Sequence, residues 1–268
     1  MKQTILGLQA ATAIHAGTGQ NNGVIDLPIQ REVHTGYPCV YGSAVKGAFR
    51  AHAEVRKQWG KAGKIEAVFG AANADGNASN VSMTDARLLL FPVRSLTGHF
   101  KLVTCPAILE RLKRDMQMMD MAAVFNIPKV QSQQVASTES GDIFLEEFKF
   151  AQISGIDQAL VDALIQLGAN ANLSEQLIVM GNDDFAWFAK NATAIAAHIA
   201  IESEAKRVKP GALWYEETLP ADSLLYTMLL GSKVHVDDVL GMFAGDKHFV
   251  QIGGNETVGM GWCKVVPA

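Results

Sequence analysis

No apolar run in the 268 residues reaches the length of about 18 to 20 needed to cross a bilayer, so no membrane span is expected. Cysteine is scarce. Cys39, Cys105 and Cys263 stand far apart, are odd in number and form no C-x-x-C pair. That argues against a disulfide framework or a zinc ribbon and points to a reducing, cytoplasmic setting. The N-terminal MKQTILGLQA lacks a signal-peptide layout and enters a strand pattern at once. There is no G-x-x-x-x-G-K-[ST], no H-E-x-x-H and no G-x-S-x-G, so the common phosphate-loop, zinc-protease and serine-hydrolase templates fail. No repeat of solenoid period is present. Excess positive charge is missing as well. A net charge of −4 and a pI near 6.0 argue, taken alone, against a nucleic-acid-binding domain.

What is present is an apolar content of 49%, enough for a core in one large domain or one domain with insertions. The charge is unevenly spread. Residues 1–60 hold six cations against three acids, whereas residues 137–204 hold eleven acids against Lys149 and Lys190. Such asymmetry suggests one side facing anions and another facing solvent or a partner. The stretch from His15 to Gly47 begins as a strand, becomes a polar, Gly-rich loop of about twenty residues and ends at a helix start, and it carries His15, Asp26, Arg31, Glu32 and His34. Loops this long are uncommon in compact domains unless they work. Ordinary solvated charges are the plain alternative, although Val24, Ile25, Leu27, Pro28, Ile29 and Tyr37 can pin the loop to a body.

The periodicity predicts a strand over 3–14 and, after an N-cap at Ser43, a helix over 44–59. On that helix Val45, Ala48, Phe49, His52, Val55 and Trp59 share one side, with His52 at the core edge. Lys46, Arg50 and Lys57 fall within about 40° of one another on a second side, as a solvated face or as phosphate contacts. A polar loop is expected over 63–80, strands over 81–93 and 94–104, and a helix over 106–116 with Pro106 at its first position. A second polar loop or hairpin follows over 126–142, then a strand at 144–150 and helices at 156–167 and 183–198. Strands near 199–208, 212–218 and 223–230, a short helix near 236–243 and a terminal strand, glycine turn and strand complete the chain. The irregular alternation predicts an α+β fold with insertions.

Several of these segments together resemble the RAMP superfamily of CRISPR proteins, in particular the backbone subunits of type III-B effectors, the Cmr complexes. The residues that carry the likeness are H-A-G-T-G at 15–19, G-V-I-D-L-P-I-Q-R-E at 23–32, H-T-G-Y-P at 34–38 and G-S-A-V-K-G at 42–47. T-D-A-R-L-L-L-F-P-V-R-S-L at 84–96, V-T-C-P-A at 103–107, D-D-F-A at 183–186, G-A-L-W-Y-E-E-T-L-P at 211–220 and the glycine tail at 250–261 continue it. The likeness implies a single domain over 1–268 with inserted loops near 16–41, 63–80 and 126–142. It implies a modified ferredoxin-like (RNA-recognition-type) palm with a helical insertion and a protruding thumb hairpin. Copies would associate head to tail along a CRISPR guide RNA, together with other subunits of the complex, and cut complementary target RNA at regular intervals. Asp26 is implied as catalytic and as a ligand of a divalent metal, Mg or Mn, bound transiently with substrate. His15 and one of Glu216 and Glu217 are implied beside it. Lys46, Arg50, Lys57, Arg31, Gly253, Gly254 and Gly259 are implied on the RNA-binding surface.

Residue chemistry agrees with that expectation. A 2′-OH attacks its own phosphate in line once the nucleotide is splayed out of the duplex. A carboxylate such as Asp26 suits a hard cation or a proton transfer. Two other functions stay open: a backbone subunit that binds RNA without cutting, and a guide-processing nuclease with His15 as general base.

Overall fold

The structure, a computed structural model, describes residues 1–21, 23–59, 63–71, 78–245 and 248–268. Its strands are β1 (Lys2–Ala10), β2 (Cys39–Val40), β3 (Val81–Met83), β4 (Ala86–Arg94), β5 (Phe100–Thr104), β6 (Gln134–Ala136), β7 (Ile143–Leu145) and β8 (Phe148–Ser154). They continue as β9 (Leu177–Met180), β10 (Ala194–Ile201), β11 (Val208–Thr218), β12 (Leu224–Gly231), β13 (Phe249–Gln251) and β14 (Trp262–Pro267). The helices are α1 (Gly42–Ala51), α2 (Lys64–Phe69), α3 (Pro106–Met118), α4 (Gln158–Gln166), α5 (Leu173–Gln176), α6 (Asn182–Asn191) and α7 (Lys233–Gly241).

The centre of the large mixed sheet is four strands in the order β14-β1-β12-β4, each pair antiparallel. β1 and β12 are in continuous register from Lys2↔Gly231 to Gln9↔Leu224. Helices α1 and α7 follow the first and third of these strands along the chain, and Phe49 of α1 touches Phe243, two residues past α7, edge to face at 5.1 Å. Strands β1, β4 and β12 are buried along nearly their whole length, which is why they read as apolar runs rather than as alternating patterns. Beyond β4 the sheet continues through β5, β9, β6, β8 and β7, with β5–β9 and β6–β8 parallel. The hairpin β10–β11 stands apart as its own two-stranded sheet.

Several expected boundaries move, each for a local reason. The first strand stops at Ala10, and Ile14 forms only an isolated bridge to Leu219. Helix α1 starts at Gly42 with Tyr41 as its cap residue, so Ser43 lies inside the helix. The Gly42 amide is satisfied from another segment, donating to Asp85 Oδ1 at 2.7 Å. The same helix widens into a π-turn over His52–Arg56, where the Lys57 amide donates to the His52 carbonyl at 3.2 Å. That change of pitch breaks the expected face: Ala53 is buried, Val55 is exposed, and Lys57 closes the turn instead of continuing the Lys46–Arg50 row. Residues 64–69 of the expected 63–80 loop are helical, while 72–77 lie outside the described residues. The expected strand over 144–150 is a tight hairpin, β7–β8, turned at Glu146 with φ 49°. The expected helix over 183–198 ends at Asn191, and Ala194–Ile201 becomes β10, because these small and apolar residues pair with β11.

Gly7 is the one place in β1 where no side chain fits. A Cβ there would lie 1.6 Å from the carbonyl oxygen of Leu167, just past the end of α4. Gly7→Ala is expected to cost about 1–3 kcal/mol or more by overpacking. An unaltered urea midpoint in Gly7→Ala would show that α4 is not seated against the sheet at this point.

Candidate functional site

Three irregular segments knit together at the base of the β10–β11 hairpin. Ile14 bridges Leu219, Gly17 bridges Ile29, and Leu27 runs parallel beside Glu216. The Leu27 amide donates to the Tyr215 carbonyl at 3.0 Å, the Glu217 amide to the Leu27 carbonyl at 3.0 Å, and the Gln30 amide to the Ala16 carbonyl at 2.7 Å. The long loop is therefore ordered by main-chain pairing to β11 and to the exit of β1.

Asp26 sits at the outer edge of this junction, half-buried. Its Oδ2 accepts the Tyr215 amide at 2.7 Å, and its carbonyl accepts the Asn21 amide at 2.9 Å. Gln20, Asn21, Leu27, Gly211, Leu213 and Trp214 surround it in an open concavity. The second carboxylate oxygen has no protein partner among the described residues.

The two neighbouring glutamates are both buried and do different things. Glu217 is fully committed. Its Oε1 accepts Arg31 at 2.5 Å and the Thr193 hydroxyl at 2.7 Å, and its Oε2 accepts the Ile29 amide at 3.1 Å. Glu216 points to the other side. Its Oε1 accepts the Asn255 side-chain amide and lies 3.6 Å from His15 Nδ1. His15 Nδ1 donates to the Glu217 carbonyl at 2.8 Å. A carbonyl only accepts, so the neutral ring carries its proton on Nδ1 and leaves the Nε2 lone pair as the basic site. The junction thus brings His15, Glu216 and Glu217 together, and holds Asp26 apart on the solvent side of β11.

The glycine tail is built onto His15. Gly253 has φ 89°, and a Cβ there would lie 2.4 Å from the His15 carbonyl oxygen, which also accepts the Gly254 amide at 2.8 Å. Gly259, at φ 85°, has open space on its side-chain face. Asn255, in the left-handed region at φ 61°, supplies the amide to Glu216. Sequence reading missed Asn255 and Thr193. An Asn between glycines, where αL is tolerated, was the only hint of the first.

A profile of the RAMP superfamily matches residues 8–264. The chain belongs to the RAMP superfamily. It is 36% identical over 287 aligned residues to the protein named CRISPR system Cmr endoribonuclease Cmr4 of Pyrococcus furiosus, spanning 99% of this chain and 95% of that one. CRISPR system CMR subunit Cmr4 of Saccharolobus solfataricus is 25% identical, spanning 95% of this chain and 92% of that one. Among solved structures, oligomeric Cmr4 from Pyrococcus furiosus superposes with a TM-score of 0.79 at 29% identity, over 100% of this chain and 98% of that one. A chain of the type III-B Cmr-beta complex bound to cognate target RNA gives a TM-score of 0.81 at 22% identity, over 100% and 97%, and shows the shared fold.

In this RAMP chain the cations expected to meet RNA are not equivalent. Lys46 and Lys57 have no acidic partner among the described residues. Burial, with the neighbouring Arg50 guanidinium adding to it, lowers the Lys46 pKa. Arg50 is engaged by Glu54 at 2.9 Å and by the Gly70 carbonyl at 2.8 Å. Arg31 is spent internally on Glu217, Thr193 and the carbonyls of Gly36 and Ala189. For a divalent metal the donor set is thin. No group of three or more His, Cys, Asp or Glu side chains among the described residues is placed to hold an ion. Asp26 offers one carboxylate oxygen without a partner among the described residues, a hard donor of the kind that suits such a cation.

Glu217 is a brace in this arrangement, and its loss is expected to show in stability. Glu217→Ala leaves Arg31 without its counter-charge and should cost about 3–5 kcal/mol. Chemical denaturation measures it. Glu217→Gln, which keeps most hydrogen bonds, should fall between. Normal stability together with lost RNA cutting in Glu217→Gln would instead place Glu217 in the chemistry.

Proposed function

We propose that the chain is the guide-RNA-binding backbone subunit of a type III-B CRISPR effector and a metal-dependent endoribonuclease that cuts complementary target RNA at regular intervals. The observation that carries this reading is the carboxylate oxygen of Asp26 that has no partner among the described residues, at the base of an exposed hairpin in a chain 36% identical over its length to a protein named as a Cmr endoribonuclease. The order β14-β1-β12-β4, with α1 and α7 in the connections, supports a ferredoxin-like palm. The isolated β10–β11 sheet supports the thumb, with Ile195, Ile199, Ile201, Leu213 and Tyr215 exposed along it. Head-to-tail association along one guide multiplies a small basic surface, since each later contact becomes effectively intramolecular.

In this reading the Tyr215 amide holds one oxygen of Asp26 and leaves the other for the RNA backbone, where the thumb of a neighbouring copy displaces a nucleotide. Asp26 would hold a divalent metal, Mg or Mn, and the chemistry the ion would supply there is charge neutralisation. His15, with its proton on Nδ1 toward the Glu217 carbonyl, presents Nε2 as acceptor, and Glu216, held by the Asn255 amide, lies 3.6 Å from Nδ1. Glu216 is thus the glutamate of the pair assigned to the site. Lys46 and Lys57 are assigned to the guide backbone. The alternative, a backbone subunit that does not cut, predicts that Asp26 is dispensable.

Asp26→Asn is expected to abolish target cutting while leaving assembly and guide binding near wild type, because an amide oxygen can still accept the Tyr215 amide. Mapping cuts in RNA complementary to a defined guide, with and without EDTA, tests both residue and metal. Guide binding lost along with cutting would make Asp26 structural.

Lys46→Ala should weaken RNA binding alike for all guide sequences and reduce the log–log salt slope by about 0.7–0.9 for one lost phosphate contact. An unchanged slope in a filter-binding series would return Lys46 to the solvated face.

A further inference from the structure

The β7–β8 hairpin and α6 form an aromatic surface that the RNA chemistry does not use. Phe148 and Trp187 meet edge to face at 4.7 Å, and both pack on buried Phe188 at 5.8 and 5.2 Å. Phe148 is 37% exposed and Trp187 42%, so two large rings face outward from a rigid base. The cleft between hairpin and helix is rimmed by Glu147, Asp183 and Asp184. Asp184 is tied to the Ser132 hydroxyl at 3.0 Å and the Gln133 amide at 2.8 Å. Glu147 and Asp183 are exposed and have no cationic partner among the described residues. The single cation on the rim, Lys149, is paired with Asp142 at 2.7 Å.

We infer that this cleft is a docking surface for a basic segment of a different protein subunit, which seats an Arg or Lys side chain over Trp187 and Phe148 with its charge against Glu147 and Asp183. Aromatic faces attract a cation, and two nearby carboxylates deepen that preference. The same carboxylates disfavour RNA: bases could stack on the rings, but their phosphates would be brought against Glu147, Asp183 and Asp184 on the rim of the cleft. A second copy of the chain is the competing occupant, since exposed Lys206 and Lys209 have no acidic partner among the described residues, and the cross-link below distinguishes the two. The first-turn position of Asp183 and Asp184 also favours the helix dipole, which accounts for the acids but not for the exposed rings.

The inference rests on the proposed role within a multisubunit effector, and the test separates the two. The complex is reconstituted from purified subunits on a defined guide, with p-benzoylphenylalanine in place of Lys149, and irradiated. A cross-link mapped to an Arg- or Lys-bearing segment of another subunit supports the surface. Cross-linking to RNA, to another copy of this chain, or to nothing overturns it. In a second arm Asp183→Lys, a surface change that spares the aromatic packing, should weaken retention of that subunit by at least about tenfold. Trp187→Ala should do the same and Trp187→Phe less, with guide retention and target cutting unchanged. Wild-type retention in Asp183→Lys overturns the inference. A wild-type complex that holds its subunits but does not cut would overturn the nuclease reading and leave the surface supported by its cross-link.

Discussion

The buried carboxylate of Glu217 is the constraint on which the functional half of the molecule depends. A charge removed from water is tolerated only when its lone pairs are filled and its sign is matched. Here Arg31, Thr193 and the Ile29 amide do that together, and they come from the long loop, the start of the β10–β11 hairpin and the loop again. Satisfying one side chain therefore fixes the loop against the hairpin. Leu27 then falls beside Glu216, and Asp26 reaches the Tyr215 amide. A chain with an apolar residue at 217 would have no comparable reason to draw Arg31 inward.

The second half of the site depends on backbone shape rather than charge. Gly253 allows the terminal turn to touch the His15 carbonyl, and the αL conformation of Asn255 then aims its amide at Glu216. A loop after the first strand and a turn before the last one meet because β1 and β14 are neighbours in the sheet. The chain ends thus supply opposite walls of one site, which the four-strand order makes possible.

The sequence revealed much of this and concealed some of it for physical reasons. The glycine tail and the Lys46 helix were legible because turn glycines and helical periodicity leave local marks, whereas Asp26 stood out among the loop charges only through the family resemblance. The division of labour between Glu216 and Glu217 was not legible. Adjacent strand residues point to opposite sides, and which side holds Arg31 is a tertiary fact. The π-turn at His52–Arg56 was hidden too, since nothing in H-A-E-V-R departs from ordinary helix composition. The overrun of the helix at 183–198 shows the same limit. Ala194–Ile201 is strand only because Val208–Thr218 is there to pair with it.

Asp26 is fastened to the Tyr215 main chain, outside the buried core. Its main chain belongs to the loop and its carboxylate is tied to the strand, so Asp26 works as a staple between them, beside the amides that Leu27 and Glu217 exchange across the same seam. One oxygen of the carboxylate closes the staple and thereby sets the direction in which the other one faces.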